Sequence, residues 1–179
     1  SWTGSAPLFL MDTGPAAILG ALDDLTLADA ASVMVANLGN FHTIAALLDG
    51  RRITGLLEHH TGELSREKLE GYLERLKEGT LGNREVFDDM GHGALELGAP
   101  AHPPERLGVT GPRRGLLQGS RLQPHFAVPH GDMMLAGCFG LLRAIAMRLP
   151  ELAPAIEKQL GPLPAPSRDS NEGTSDRHA

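Results

Sequence analysis

The chain has 179 residues, of which 41% are hydrophobic, and this suits one compact domain or one domain with a tail. The formal net charge of −6 argues against a general nucleic-acid binder, and the lack of any apolar run of about 18 residues argues against a membrane span. The single cysteine, Cys138, excludes an internal disulfide framework and suits a reducing compartment, so we expect a cytoplasmic protein.

The first 31 residues are interpreted as a separate N-terminal segment. An apolar run, Ala6–Met11, ends at the breaker sequence Asp12-Thr13-Gly14-Pro15. The Ala/Leu-rich stretch after the proline predicts a short helix. We expect residues 1–31 to be the end of a preceding lobe.

Three short apolar runs follow, and each predicts a strand. Ser32–Ala36 is Val-rich, and Thr43–Leu48 is the next run. Asp49-Gly50 then gives the signal for a tight hairpin before the third run, Arg52–Leu57. Three sequential strands with a tight turn predict an antiparallel meander.

A helix is predicted across this meander from Ser65 to about Glu78. Ser65 is a good N-cap and Gly79 a good C-terminal stop. Apolar side chains recur at helical spacing: Leu64, Leu69, Tyr72, Leu73 and Leu76. The next segment, Asn83–Gly93, is polar and predicts a loop.

Two further strands and a helix are predicted in the C-terminal half. Arg106–Thr110 is a strand that Gly111-Pro112 ends, and Leu122–Val128 is an edge strand because Pro124 lacks a donor for the ladder. Asp132–Leu149 is apolar nearly all round, which predicts a buried helix.

The element order is therefore β-β-β-α, a loop, then β-α-β-α. A three-stranded meander followed by alternating helices and strands is the ribonuclease H-like plan, an α/β layer structure with a mixed sheet. We assign this lobe to residues 32–150. The tail, residues 162–179, is rich in Pro, Ser and charge and is predicted to be disordered.

The connection between the first two predicted strands carries a polar cluster suited to phosphate. Gly39 permits close backbone approach and a positive φ, and successive backbone N–H groups in such a turn form an anion-binding nest. The predicted phosphate-binding residues are Asn37, Gly39, Asn40, His42 and Thr43. The alternative is a tight strand connection in which Asn and Gly serve backbone geometry alone.

This turn resembles the second phosphate motif of the actin, heat-shock-70 and sugar-kinase superfamily, where the turn between the first two strands of the C-terminal lobe cradles nucleotide phosphate. Members usually carry Asp at the start of the turn to hold Mg²⁺ through water, whereas this chain has Asn37. Val109–Arg113 resembles the adenosine motif, so Gly111 and Arg113 are candidate nucleotide-binding residues. The resemblance implies one lobe of an actin-like ATPase. It also implies ATP or another small phosphorylated ligand, Mg²⁺, and an N-terminal lobe on the same or another chain.

A closer resemblance rests on several segments between roughly residues 8 and 148. NLGNFHT, LLEHHTGEL, VFDDMGHGA, VTGPRR and PHGDMMLAGCFGLLRA are similar to an uncharacterised family within that superfamily, often labelled as pyruvate formate-lyase activating enzymes. A radical activase of the usual kind holds a four-iron cluster through a Cys-x₃-Cys-x₂-Cys run. Because Cys138 is the only cysteine in these 179 residues, we expect no iron–sulfur cluster here.

A second candidate site lies in the predicted loop. Asp88, Asp89 and His92, flanked by glycines, are suitable ligands for a Mg²⁺-like or Mn²⁺-like ion, or a general base. The alternative is that one of these aspartates only caps a turn. One of three histidines is a candidate for a further ligand: His59, His60 or His130.

Three classes of function therefore stay open. The leading one is a nucleotide- or phosphate-binding lobe, with ATPase or phosphotransferase activity as its chemistry. The second is a metal-dependent hydrolase built on the Asp88–His92 segment. The third is a non-catalytic scaffold, which Asn37 favours because the superfamily carries Asp there.

Overall fold

The protein is a mixed α/β structure built on one six-stranded sheet. The computed structural model describes residue 4 and residues 7–50, 52–98 and 102–162. The predicted disordered tail, residues 162–179, lies outside the described residues apart from its first residue. In chain order the strands are β1 (Ser32–Leu38), β2 (His42–Asp49), β3 (Arg52–His60), β4 (Gly91–Glu96), β5 (Arg106–Thr110) and β6 (His125–Phe126). The helices are α1 (Thr13–Ala21), α2 (Leu25–Ala28), α3 (Arg66–Glu78), α4 (Asn83–Asp88), α5 (Ala136–Arg148) and α6 (Ala153–Leu160).

The predicted meander is confirmed. The sheet has the order β4-β3-β2-β1-β5-β6, with β1, β2, β3 and β4 successively antiparallel. β5 then runs parallel to β1, and β6 runs parallel to β5. The β2–β3 turn depends on Gly50, whose φ of 57° lies in the left-handed region.

Helix α3 covers one face of the sheet, as predicted. The Ser65 hydroxyl accepts a hydrogen bond from the backbone N–H of Lys68, and Gly79 ends the helix in the left-handed conformation. The buried α3 side chains Leu69, Leu73 and Leu76 join a core with alternate residues of the central strands. Because successive strand residues face opposite sides, the other β1 residues form a second core under α1.

Helices α1 and α5 cross at very short range on that second side. An added Cβ at Gly20 would lie 1.8 Å from the carbonyl oxygen of Ala136. The relation is reciprocal, since an added Cβ at Gly140 would lie 1.8 Å from the carbonyl oxygen of Ala16. The crossing therefore requires glycine on both helices. Helix α5 packs mainly against α1 and makes little direct contact with the sheet.

The prediction that Asn83–Gly93 is a loop is wrong. This segment contains α4 and the first residues of β4, and β4 pairs with β3 at the edge of the sheet. Gly91 and Gly93 lower the local strand propensity of β4, so only the long-range pairing with β3 identifies β4 as a strand.

Two C-terminal predictions need smaller corrections. The predicted edge strand Leu122–Val128 does lie at the edge, but only His125–Phe126 pairs with β5. The predicted helix begins at Ala136, after a 3₁₀ turn at Met133–Leu135. It is also only half buried, because α1 covers just one of its faces: Met147 is 51% exposed. Among the described residues, no helix has both the length and the apolar composition needed to cross a bilayer.

Candidate functional site

The β1–β2 turn is closed by its own backbone. The Gly39 N–H donates to the His42 carbonyl oxygen at 3.0 Å, and an added Cβ at Gly39 would lie 2.7 Å from that same oxygen. Gly39 is not among the described glycines with positive φ, so the expectation of a left-handed conformation is wrong. A glycine is needed here because a side chain would strike the facing strand.

The polar side chains of this turn divide into two groups. Asn40 and His42 are exposed, and Asn37 is half-buried. Thr43 is fully buried, and its hydroxyl lies 3.0 Å from the hydroxyl of Thr61. Four of the five predicted phosphate residues therefore border the open turn, whereas the Thr43 side chain is part of the interior.

The turn that follows β5 packs directly against the β1–β2 turn. Gly111 has a φ of 95°, and an added Cβ there would lie 2.4 Å from the Leu38 carbonyl oxygen and 2.7 Å from Asn37 Oδ1. The Arg113 N–H donates to the same Leu38 oxygen at 2.9 Å. The predicted nucleotide residues and the predicted phosphate residues are thus brought together at one end of the central strands.

Two residues that adjoin the Gly111 turn along the chain each have one buried polar atom without a partner. In the described part of the chain, Thr110 Oγ1 and Arg114 Nη1 are buried and form no hydrogen bond. Thr110 is the register partner of Asn37, and Arg114 begins the 3₁₀ turn after Gly111. Buried polar groups nearly always find partners, so these two atoms are suited to bind water or a ligand.

The N-terminus of α1 lies close to the same end of the sheet. An added Cβ at Gly14 would lie 3.0 Å from a side-chain carbon of Ile44, the β2 residue paired with Asn37. The Asp12 carboxylate caps this helix by accepting the Gly14 N–H at 3.0 Å. One of the free amides at the helix start is therefore already satisfied by the chain itself.

The predicted metal ligands Asp88, Asp89 and His92 are not brought together. Asp89 accepts hydrogen bonds from Tyr72 at 2.7 Å and Lys68 at 3.0 Å, and its other contact is His59 at 3.2 Å. The hydrogen bonds from Lys68 and Tyr72 lower the pKa of Asp89 to about 2. Burial and the Asp89 charge raise the pKa of Tyr72 in turn.

Asp88 has a different environment from its neighbour. It is exposed and lies 3.5 Å from Arg84 one helical turn earlier. Asp89 therefore serves a structural cluster beside α3, and Asp88 faces solvent.

His92 instead belongs to a cluster of three histidines. Its ring centroid lies 5.0 Å from that of His42 and 4.6 Å from that of His60, and the His42 and His60 rings are 5.0 Å apart. From the sequence, His42 is a predicted phosphate-binding residue, and His60 is one of three candidates for a further metal ligand. The grouping was missed because it depends on strand register.

The remaining predicted ligand, His130, is paired elsewhere. Its Nε2 lies 2.9 Å from an Asp23 oxygen, and the buried guanidinium of Arg143 donates to Asp23 at 2.8 Å. His125 similarly lies 2.9 Å from Asp24. No local pattern in the sequence indicates these pairs, because each joins residues more than 100 positions apart.

These features define a mixed α/β protein with two polar regions at one end of its sheet. Residues 2–116, well over half of the chain, match the family described as "Putative pyruvate format-lyase activating enzyme (DUF1786)". The chain therefore belongs to this family. The matched region includes both turns and all three clustered histidines, and it ends before α5. No curated protein and no solved structure matches the chain.

Proposed function

We propose that this protein is a phosphate- or nucleotide-binding lobe of the ribonuclease H-like kind used by the actin, heat-shock-70 and sugar-kinase superfamily. The observation that carries the proposal is the contact between the Gly111 turn and the β1–β2 turn. The 2.4 Å distance from an added Gly111 Cβ to the Leu38 oxygen leaves no room for a side chain between the two turns. A ligand at this junction would meet backbone from both turns at once.

The strand order supports the same proposal. The meander β1–β2–β3 followed by β5 and β6, both parallel to β1, follows the plan that the sequence resemblance implies. In this interpretation β4 is an addition at the β3 edge. Ligands of open α/β sheets commonly bind beyond the carboxyl ends of the strands, where β1 and β5 end here.

The chemistry around the junction suits an anion. Asn40 and His42 are open to solvent beside the first turn, and Arg113 is open beside the second. Arg114 follows Arg113 directly, and its buried Nη1 forms no hydrogen bond among the described residues. Thr43 is left out of the proposed contact because Thr61 already engages its hydroxyl. An Asn at position 37 holds Mg²⁺ weakly, so we propose binding and leave phosphoryl transfer outside the proposal.

The partner that follows from this proposal is a second lobe that closes on the ligand, on the same or another chain. The family description names a formate-lyase activase, but a radical activase of the usual kind needs three clustered cysteines. These 179 residues contain Cys138 alone, so we do not propose radical chemistry for them.

Calorimetric titration of the chain with ATP, ADP and inorganic phosphate tests the proposal. We expect millimolar or tighter binding of at least one of them. Arg113→Ala should weaken it about tenfold, because a hydrogen bond to a charged group contributes roughly 1.5–3 kcal/mol. Arg148→Ala, which removes an exposed arginine from α5, is the matched control and should leave affinity unchanged.

Thr43→Val provides a second control, since it should lower the melting temperature and leave ligand affinity unchanged. If the wild-type chain binds none of the three ligands at millimolar concentration, the proposal is wrong and the scaffold interpretation replaces it. Equal losses of affinity in the Arg113 and Arg148 variants would also contradict it.

A further inference from the structure

The geometry points to a divalent metal site formed by His42, His60 and His92. His42 is the first residue of β2 and the direct register partner of His60, the last residue of β3. His92 lies on β4, which pairs with the opposite edge of β3. Three neighbouring strands thus each contribute one imidazole at the same end of the sheet.

A β-bulge turns His92 toward the other two rings. Glu58 pairs with Gly93 and His59 pairs with Gly91, so one step along β3 corresponds to two steps along β4. His92 is the extra residue, and a bulge of this kind redirects a side chain. Glycine is required on one side of it, because an added Cβ at Gly91 would lie 2.6 Å from the His59 ring.

The spacing of the nitrogen atoms fits a shared ion. One ring nitrogen from each of the three histidines lies within 4.8 Å of the others. Zinc–nitrogen bonds of about 2.0–2.1 Å require nitrogens about 3.4 Å apart in a tetrahedral site. Because the side chains are exposed, small rotations about their side-chain bonds close this difference without moving the strands.

Among the described residues, His42, His60 and His92 form no ion pair with an acidic side chain, whereas three other histidines do. His59, His125 and His130 each contact an aspartate. Among the described residues, the ring–ring contacts of His42, His60 and His92 are those that they make with one another. The unprotonated nitrogen of each neutral imidazole can therefore donate its lone pair to a metal ion.

The donor set selects the class of metal. Three imidazole nitrogens favour Zn²⁺, Co²⁺, Ni²⁺ or Cu²⁺, whereas Mg²⁺ and Ca²⁺ prefer oxygen ligands. The ion proposed here is of a different class from the Mg²⁺-like or Mn²⁺-like ion predicted for the Asp88–His92 segment, because its ligands are nitrogen atoms. Three protein ligands leave at least one coordination position for water or a small anion, as in catalytic zinc sites.

A carboxylate lies beside the site. Glu58 is two residues before His60 on β3, so the two side chains share a face of the sheet. Glu58 and His92 line the same cavity of about 210 Å³, together with Ile44 and Asn83. This carboxylate is suited to accept a hydrogen bond from a metal-bound water or from a ligand histidine.

Metal titration of chelator-treated protein tests the site. The protein should be prepared without a polyhistidine tag and titrated separately with Zn²⁺, Co²⁺ and Mg²⁺. We expect one equivalent of Zn²⁺ or Co²⁺ to bind and raise the melting temperature, with no effect of Mg²⁺. Bound Co²⁺ should give visible absorption bands stronger than those of the hydrated ion. His60→Ala and His92→Ala should each weaken Zn²⁺ binding on the order of 100-fold or more, since even outer-shell changes cost 10–100-fold.

His102→Ala is the matched control, because it removes an exposed histidine outside the cluster and should leave Zn²⁺ affinity unchanged. Circular dichroism of each metal-free variant separates ligand loss from misfolding. If the wild type binds neither ion, or if His102→Ala weakens binding as much as His60→Ala does, the site does not exist. His60 and His92 are outside the proposed phosphate contact, so nucleotide titration of these two variants distinguishes failure of one proposal from failure of the other.

Discussion

The histidines of this protein differ in whether an aspartate contacts the imidazole ring. His59 is fully buried and adjoins Asp89, and His130 adjoins Asp23. A carboxylate partner fixes the orientation of an imidazole and occupies one of its nitrogens. His60 follows His59 directly along the chain and yet faces the opposite side of the sheet, where it meets other histidines. Two neighbouring residues of the same type therefore have different surroundings.

Asp89→Asn tests the structural role of the cluster that Asp89 forms with Lys68, Tyr72 and His59. The hydrogen bonds from Lys68 and Tyr72 lower the pKa of Asp89 from 3.8 to about 2. The charged form therefore contributes stability above about pH 4, and this contribution is lost as the pH falls through about 2. Because about a third of the side chain is exposed, the expected loss at pH 7 is only about 1 kcal/mol. Urea unfolding at pH 7 and at about pH 2 measures it.

The control for this change is its neighbour. Asp88→Asn removes an exposed carboxylate whose ion pair with Arg84, at 3.5 Å, is also exposed. Exposed ion pairs contribute little, so the change should alter the unfolding free energy by less than about 0.5 kcal/mol. The difference between wild type and Asp89→Asn should also shrink toward zero at the lower pH. A loss that is independent of pH would show that the Asp89 charge is not the cause.

The sequence could not separate these two aspartates. Asp88 and Asp89 have identical side chains at adjacent positions, and both precede a glycine-flanked histidine. Only the packing of α3 against β3 brings Lys68 and Tyr72 to one of them. Thr43 is a similar case, because its burial against Thr61 depends on how the chain continues after β3. The sequence therefore indicates where polar residues concentrate along the chain, whereas the partners of each side chain depend on packing between distant segments.

At the element scale, two β-bulges determine the histidine cluster. Asp49 pairs with Arg52 and Leu48 with Ile53, and an uninterrupted hairpin would continue this register to bring His42 opposite His59. An extra residue in β3, beside Leu47, shifts the register by one. His42 therefore meets His60, and a second bulge turns His92 to the same place.

The elements that the sequence predicted well are those with local signals. Meander strands β1–β3 follow from short apolar runs and the Gly50 turn, and α3 follows from its caps and its apolar spacing. Strand β4 and both bulges depend on pairing between distant segments. A one-residue shift in strand register leaves almost no trace in the apolar pattern of a short strand. The register therefore could not be predicted from the sequence.

The α1–α5 crossing makes a sharp prediction for Gly20→Ala. The new Cβ would lie 1.8 Å from the Ala136 carbonyl oxygen and 2.8 Å from the Gly140 nitrogen, and both are backbone atoms that cannot rotate away. We expect a loss of about 3 kcal/mol or more in the free energy of unfolding, at the upper end for overpacking. Thermal and urea unfolding, followed by circular dichroism, measure it.

Gly137→Ala is the control on the partner helix. An added Cβ there meets nothing within 4 Å, so the change should stabilise the protein by about 0.4–1 kcal/mol by restricting the unfolded chain. Opposite signs for two Gly→Ala changes in helices would separate a steric effect from helix propensity. A loss of less than about 1 kcal/mol for Gly20→Ala would mean that the helices cross at a larger distance.

At the scale of the whole molecule, one buried guanidinium connects segments from both ends of the described chain. Arg143 is 2% exposed and donates from Nε to both oxygens of Asp23, at 2.8 and 2.9 Å. Its other nitrogens donate to the carbonyl oxygens of Leu160 and Gly161, each at 2.9 Å. Through these bonds α5 holds the loop after α1 and the C-terminal end of α6, neither of which belongs to the meander.

Arg143→Met should therefore be the most damaging polar-to-apolar change in α5. It leaves the Asp23 carboxylate buried beside His130 without its main partner, and removing one member of a buried pair costs about 3–5 kcal/mol. Arg143→Lys should restore little of this stability, because an ammonium group cannot reach Asp23 and two carbonyl oxygens as the planar guanidinium does.

The double variant Asp23→Leu/Arg143→Met should lose less stability than Arg143→Met alone, since it leaves no unpaired carboxylate. Urea unfolding gives the three free energies, and hydrogen exchange should show that α6 loses protection first. Equal losses in the single and double variants would mean that the missing contacts to α6, rather than the stranded carboxylate, set the cost.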